Sequence, residues 1–497
     1  MYLIKKLAVI CLVAFLFTLV SPAQEIYRLD LETSILLAQQ KSIRMQILNQ
    51  NLKSAAFNLK ASISQNRTHV SLDMTLPSYS ETIRQFEDSS GISFYPVRQN
   101  QLITSINISQ PLPTDGSLYI LTRAQNFVDY YANDRNTQLT SSIGLRQPIE
   151  AFFGFNNILM SKQQAKLGYE LSMKQLKREE LNLVYDISQD FFNMLSTQER
   201  MNIAKQSLER QQEAYNIAQS KFKAGLIREV EALQMEVDLS SAANSYDMAV
   251  VDYASQVRTF KENLGINLSD SISVDSNLKY QIVPVDVEKA VALAMKSRPE
   301  VRESEIQIEL QEMAIKRQRA QGLPSGSIML NYNFIGVGKD YRMVPIDVTF
   351  EQTWQNLNSR PGSLGVALTA SIPIIDWGEN RARVQSARSM LKLDQLQMES
   401  SKISIERDIR TTVDRLNSSL RRLQLLEKGL VVAEKSFDIS RQRYANGEID
   451  SQSMALERER LNNAYNTRLD AYISYKLLLS DIMRKTFFDF EKGKAVE

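Results

Sequence analysis

The side chains that most often do chemistry are few in this chain, and none is placed to do it. His69 is the only histidine, and it opens a stretch that reads as a β-strand. A metal centre needs several His, Cys or acidic ligands converging, and a nucleophilic triad needs a histidine oriented by a carboxylate, so a lone His supports neither. Cys11 is the only cysteine. A hydrolase working with two carboxylates would need them paired in a cleft, but the sequence carries no glycine-rich phosphate loop, nucleophile elbow or metal-spaced cluster to go with them. No catalytic residue, metal or cofactor is expected. Lys and Arg number 59 against 57 Asp and Glu, a balance that gives no pull toward nucleic acid.

The N-terminus reads as an export signal over residues 1–23. Lys5 and Lys6 supply its positive start, Leu7 to Val20 its 14-residue apolar run, and Ser21-Pro22-Ala23 a small-residue cleavage site, so that the mature chain begins at Gln24. The alternative, a membrane anchor, needs about 20 apolar residues. Cys11 lies in mid-run behind Val9-Ile10, poorly placed for lipid attachment. The mature chain is therefore expected to lack disulfides and thiol ligands. No later segment reaches 18 uninterrupted apolar residues, which leaves a periplasmic protein, a secreted one, or a β-barrel.

The elements that would position any functional residue are laid out twice. Leu29-Asp30-Leu31-Glu32 opens a first copy and Val285-Asp286-Val287-Glu288 a second. Each continues through a helix, alternating strands, a proline (Pro148, Pro373), a glycine (Gly154, Gly378) and a very long helix ended by a second glycine (Gly225, Gly447). Pro148 to Gly225 is 77 residues and Pro373 to Gly447 is 74, in a chain with only 12 Pro and 17 Gly. This is an internal tandem duplication. The first repeat, 24–265, is expected to hold a helix at 31–65, strands within 68–147, a long helix at 156–223 and a return helix at 229–264. A linker at 266–284 joins it to the second repeat, 285–497, with a helix at 286–321, strands at 327–336 and 363–373, a long helix at 379–446 and a return helix at 451–485.

In the strand regions the apolar period is two. Val70, Leu72, Met74 and Leu76 alternate with polar residues, as do Ile328, Leu330, Tyr332 and Phe334, and Leu364, Val366, Leu368, Ala370 and Ile372. Residues 80–147 carry extra alternating material whose strand count pattern alone does not fix. Gly336 to Pro361 reads as an exposed loop. Trp354, Trp377, Phe152, Phe153 and Tyr341 fall in or beside these regions, where aromatic rings suit a membrane interface or simply reflect β-propensity.

The helical runs at 156–223 and 379–446 contain no proline, and at about 1.5 Å per residue each spans on the order of 100 Å. Val184, Ile187, Phe191 and Met194 form one stripe and Tyr185, Phe192 and Leu195 another, while Ile409, Val413, Leu416, Leu420 and Leu423 step 4, 3, 4, 3 like a coiled-coil seam. Two stripes imply two neighbours, the condition for a cylinder of helices.

Gln147-Pro148-Ile149 and Ile372-Pro373-Ile374, the glycine after each, and the tips Lys221-Phe222-Lys223-Ala224-Gly225-Leu226-Ile227 and Arg443-Tyr444-Ala445-Asn446-Gly447-Glu448-Ile449, in this order and twice over, resemble the TolC-like outer-membrane efflux ducts across essentially the whole mature chain. The resemblance implies an α+β membrane protein. It would be a homotrimer in which about four strands per protomer close a 12-stranded outer-membrane β-barrel, continued by a long periplasmic α-helical barrel. It also implies no enzymatic activity, and a role as exit duct in efflux or type I secretion beside a periplasmic adaptor (membrane fusion) protein and an inner-membrane pump of RND or ABC type. A competing reading, an exported coiled-coil spacer or adhesin, accounts for the helices but leaves the strands unexplained.

By position in the family, the glycine turns are the ends that meet the adaptor, and the matching residues are Lys221, Phe222, Gly225 and Leu226 with Arg443, Tyr444, Gly447 and Glu448. They serve equally as plain helix caps and a hydrophobic staple. Family members often narrow the channel with carboxylate rings beyond the second glycine; here Ser453 and Leu456 stand at those positions. Asp450 and Glu231 lie nearer the turns and are candidate constriction residues, with an apolar gate at Leu456 or an ordinary solvated helix face as alternatives.

Overall fold

Residues 26–89, 91–274, 280–340, 342 and 344–495 are described by a computed structural model; the signal region 1–23 with Cys11, the expected mature start Gln24, and Tyr341 lie outside them. In chain order the elements are β1 (Ile26–Leu29), α1 (Leu31–Lys41), α2 (Ile43–Ser64), β2 (His69–Asp88), β3 (Gly91–Pro111), β4 (Ser117–Asp129), β5 (Asp134–Pro148), a 3-10 turn (Ile149–Phe153), α3 (Asn157–Lys223), α4 (Glu229–Leu264), β6 (Ser271–Val274), α5 (Val287–Ser297), α6 (Pro299–Ala320), β7 (Ser325–Asp340), α7 (Ile346–Ser359), β8 (Ser363–Ser371), α8 (Glu379–Asn446), α9 (Ser451–Thr486), β9 (Phe488–Asp489) and β10 (Lys494–Ala495). They fall into two units. One comprises the N-terminal residues to Asn51, Lys174–Arg302 and Glu399–Glu497, and the other Leu52–Met173 and Glu303–Met398.

The first unit is helical and its core follows the stripes of the long helices. Ile187, Phe191 and Met194 of α3, Phe260 and Leu264 of α4, Ile409, Val413, Leu416 and Leu423 of α8, and Tyr475 and Ile482 of α9 are buried in one cluster. Each such side chain contributes about 1.5–3 kcal/mol by leaving water, so spacing by three and four on several helices is enough to fix which faces meet. The stretch expected as one helix at 31–65 is two, α1 and α2, with Ser42 extended at φ −62°, ψ 140°. The stretch 286–321 is likewise broken between α5 and α6, where Arg298 is extended at φ −68°, ψ 125°. Pro299 explains the second break, because a residue before proline is pushed out of the helical region. No proline marks the first; there, Gly265 approaches so closely that a Cβ on it would stand 2.5 Å from the Lys41 carbonyl oxygen. The linker at 266–284 also contains β6, which pairs in parallel with β1, Ile26 to Ser271 through Leu29 to Val274.

The second unit is built on one antiparallel sheet in the order β2-β3-β4-β5-β7-β8. This corrects the expected four strands per protomer to six. The alternating material at 80–147 folds as long hairpins, so the first repeat contributes four strands and the second two. The segment expected as a loop from Gly336 to Pro361 is corrected too: β7 runs on to Asp340, and Ile346–Ser359 is the helix α7. α7 lies against β5 and β7 at Gly336 and Gly338, where an added Cβ would stand 2.2 and 2.1 Å from the carbonyl oxygens of Thr353 and Thr349. Thr349 and Thr353 face the sheet, with Thr137 Oγ1 2.8 Å from the Thr349 carbonyl and 2.5 Å from Thr353 Oγ1.

Candidate functional site

Successive residues of a strand point to opposite faces and paired residues of an antiparallel ladder share one, so the register assigns every side chain of the sheet. Val70, Leu72 and Met74 of β2 share a face with Ile106 and Ile108 of β3, Leu118 and Ile120 of β4, Ile143 and Leu145 of β5, Ile328, Leu330 and Tyr332 of β7, and Leu364, Val366 and Leu368 of β8. An apolar band thus crosses all six strands. The opposite face carries chiefly Ser71, Asp73, Ser105, Asn107, Arg123, Gln125, Thr140, Ser142, Asn331 and Asn333. One apolar and one polar face is the pattern of a sheet between lipid and a water-filled lumen. Both edge strands are bare: every described position of β2 is exposed, and on β8 Leu364, Val366 and Leu368 are about as exposed as free side chains, at 68–70%. Among the described residues no helix is long and apolar enough to cross a membrane.

Where the strands give way to the long helices, the two repeats place exposed apolar side chains. Phe152 and Phe153 sit in the 3-10 turn after β5, and Trp377, with φ 54°, follows β8 beside exposed Ile374 and Ile375. Trp354 is on α7, half exposed with Phe350 and Ile346. Ile374 and Ile375 escape a search for aromatics but belong to the same surface. The long helices start on different supports. Asp376 accepts from the backbone N–H of Gly378 and Asn380 ahead of α8, and these bonds hold its carboxyl below the usual range. For α3 the local acceptor is Asn156 Oδ1, on the Leu159 N–H at 2.8 Å, and a second comes from the β3–β4 turn, where Asp115 takes the N–H of Asn157 and Ile158 at 3.2 and 3.1 Å.

At the other ends of the long helices the two glycine turns are the same motif twice. Gly225 (φ 69°) donates to the Phe222 carbonyl and Leu226 to that of Lys221; Gly447 (φ 83°) donates to the Tyr444 carbonyl and Glu448 to that of Arg443. A left-handed residue here satisfies the last carbonyls of the helix, and glycine takes that conformation without Cβ strain. The structure brings the two turns together. Lys221 Nζ donates to the Tyr444 carbonyl and stands 4.5 Å from the Tyr444 ring centroid. Tyr444 is buried with Ala218, Met235, Phe437 and Met454, whereas Leu226 is 73% exposed and Phe222 and Glu448 are exposed as well. Arg443 pairs with Glu448 at 3.2 Å, and a shallow groove lined by Glu213, Asn216, Lys221, Leu226 and Ala445 lies beside the turn.

Of the candidate constriction residues, Asp450 is the N-cap of α9 and accepts from the Ser453 N–H at 2.9 Å. Hydrogen bonds from the Ser453 side chain and backbone hold its carboxyl below the usual range. Glu231 is tied to Arg228 at 3.1 Å in the first turn of α4. Ser453 and Leu456 are exposed on α9. Sequence reading missed buried Arg458 further along α9, paired with half-buried Asp238 of α4 at 3.2 Å, where burial lowers the guanidinium pKa; Arg458 follows Met454 by four residues on the buried face, and only that spacing could have marked it. His69 lies exposed, its Nδ1 2.7 Å from the Arg67 carbonyl.

The chain matches the family described as outer membrane efflux protein over residues 121–265 and 290–476, more than half its length. Comparison with curated proteins finds no match. Among solved structures it is similar to the Campylobacter jejuni CmeC outer membrane channel, at 16% identity over 94% of this chain and 86% of that one with a TM-score of 0.68. It is also similar to the outer membrane protein VceC of Vibrio cholerae, at 13% identity over 94% and 97% with a TM-score of 0.66, and to the open state of the Neisseria gonorrhoeae MtrE outer membrane channel, at 15% over 94% and 90% with a TM-score of 0.64. At such identities the likeness speaks for the fold, and the family match adds the function. The chain belongs to the outer membrane efflux protein family, and it is an exit duct of the outer membrane whose helical part is periplasmic.

Proposed function

We propose that three copies form the duct, each setting its β2 against β8 of the next to close a barrel of three times six strands, 18 in all. The observation that carries this reading is the apolar band crossing a sheet with two bare edges. In lipid each unpaired backbone group costs several kcal/mol, and closure between copies removes the edges. β2 runs away from its preceding helix and β8 runs toward its following one, so the new seam is antiparallel like the others. Phe152, Phe153 and Trp377 then serve as interfacial anchors in the outer-membrane lipid. The lumen face, rich in Ser, Asn, Gln and Arg, suits a watery conduit for solutes supplied from elsewhere.

The helical tips dock a periplasmic adaptor, through exposed Phe222, Leu226, Arg443 and Glu448 around the fixed pair Lys221–Tyr444 and the turns at Gly225 and Gly447. The adaptor links the duct to an inner-membrane pump of the RND or ABC type. Glu231, Asp450, Ser453 and Leu456, within the first turns beyond the tips, form the constriction, with three-fold repetition of the two carboxylates favouring cations.

Reconstitution tests the whole. The detergent-purified chain should be trimeric by native mass spectrometry, conduct ions in planar bilayers, and show 18 strands by cryo-electron microscopy. A monomer that washes from membranes with salt and conducts nothing restores the spacer reading.

A further inference from the structure

The two edges that meet in this trimer are unequal. β2 has 20 residues and β8 nine, so whatever the register, more than half of β2 finds no β8 beside it. Both strands join the helices directly at their inner ends, and the uncovered part is therefore the outer part. There the β2–β3 hairpin also outgrows its own sheet. β3 pairs with β4 only from Gln99 onward, and the stretch from Glu81–Arg98 to Asp88–Gly91 is a two-stranded ribbon. Such a ribbon is at best marginally stable alone in water. On the face continuous with the apolar band it presents Ile83, Ile92 and Phe94, 57–71% exposed.

The matching surface lies on the opposite flank. Beyond β8, in the outward direction, the chain passes from Ser363 back into α7. This helix covers the outer stretches of β5 and β7 on the same face of the sheet as the band, since Thr137, Gly336 and Gly338 all belong to it. Asn356 of α7 already accepts the N–H of Val337 at 3.0 Å, occupying the side of β7 that β8 leaves open. With its threonines turned to the sheet, α7 presents Ile346, Phe350 and Trp354 outward, 45–53% exposed.

We propose that α7 of one copy packs against the protruding β2–β3 ribbon of its neighbour, Phe350 and Trp354 meeting Ile83 and Phe94, and so clasps adjacent copies together at the outer end of the barrel. The proposal rests on the trimeric reading above and commits to a second copy as the occupant of both surfaces. It follows from the unequal edges: the seam begun by β8 on β2 has only α7 to continue it. Burying these side chains against one another also stabilises the outer part of the ribbon, which beyond buried Val97 its own copy leaves exposed.

Paired cysteines test the clasp. Cys11 is the only cysteine in the sequence, so in a Cys11→Ser background Phe94→Cys combined with Trp354→Cys introduces the only pair. Oxidation of the full-length protein in outer membranes should give dimers and trimers on non-reducing gels, with no ladder from either single variant. In a Trp377→Phe background, Trp354 fluorescence should be quenched by brominated phospholipid to less than about a third of the extent seen for a tryptophan placed at exposed Val366 in a chain that also carries Trp354→Phe. Native mass spectrometry counts the copies independently. A trimer without the ladder, or with Trp354 quenched as fully as the Val366→Trp control, shows that lipid covers α7 and overturns the clasp while leaving the trimer standing. A monomer overturns both.

Discussion

Lys221 and Tyr444, 223 residues apart, lock the two glycine turns to each other: the ammonium donates to the tyrosine carbonyl and lies over its ring. A partly desolvated cation–π contact is worth about 0.5–2 kcal/mol, and truncating a buried aromatic costs about 3–5 kcal/mol. Tyr444→Ala should therefore loosen both turns, and Lys221→Met should do so more weakly. Hydrogen exchange at residues 221–228 and 443–450 would read this. Unchanged exchange in Tyr444→Ala would show that the turns are held independently.

Asp450 should make the start of α9 sensitive to acid. Its folded pKa lies below the ordinary 3.8, so the stabilisation it gives is fully present above the unfolded value and is lost as pH falls through the folded one. The protection of the Ser453 amide, its exchange rate relative to the intrinsic rate at the same pH, should fall below about pH 4 in the wild type. Asp450→Asn, which keeps an acceptor without the charge, should flatten that dependence; a wild type indifferent to pH would rule out the carboxylate as cap.

Asp115 ties the β3–β4 turn to the first turn of α3 while itself holding φ 66°. Removal of such a cap costs about 1 kcal/mol. Asp115→Ala should lower the thermal midpoint and Asp115→Asn should largely preserve it, because asparagine keeps an acceptor and tolerates the left-handed region. Equal losses in the two variants would point to the charge rather than the hydrogen bonds.

The assignment of sheet faces predicts opposite outcomes at adjacent residues. Val366 belongs to the apolar face and Ala367 to the polar one. Arginine at the lipid face costs about 2–4 kcal/mol near the bilayer midplane, repeated in every copy. Val366→Arg should cut the yield of assembled protein in outer membranes severely, and Ala367→Arg should assemble and alter ion selectivity. The reverse ranking would invert the sheet.

The long helices were legible because nothing interrupts their period: no proline falls between Asn157 and Lys223 or between Glu379 and Asn446. The turns were legible because glycine is the residue a left-handed cap requires. The strand count was not, since Ile103 and Leu121 on the polar face blur the alternation in the hairpins. α7 was hidden by an inverted pattern, with threonines toward the sheet, apolar residues outward, and glycines in β7 that read as a loop. The break at Ser42, whose hydroxyl accepts from the Met45 N–H, packs against Gly265, more than 200 residues away, and the Lys221–Tyr444 contact spans a similar distance; no local pattern carries either long-range contact.

The helix before β2 and the helix after β5 join the sheet at the same end, so strands can be gained or lost here only as complete hairpins. Each copy then changes by two and the proposed trimer by six, which would make the width of its outer opening a stepped quantity. Gradual widening is closed to it; a descendant seeking a larger aperture must acquire a whole hairpin at once, in all three copies, by a single change in one gene.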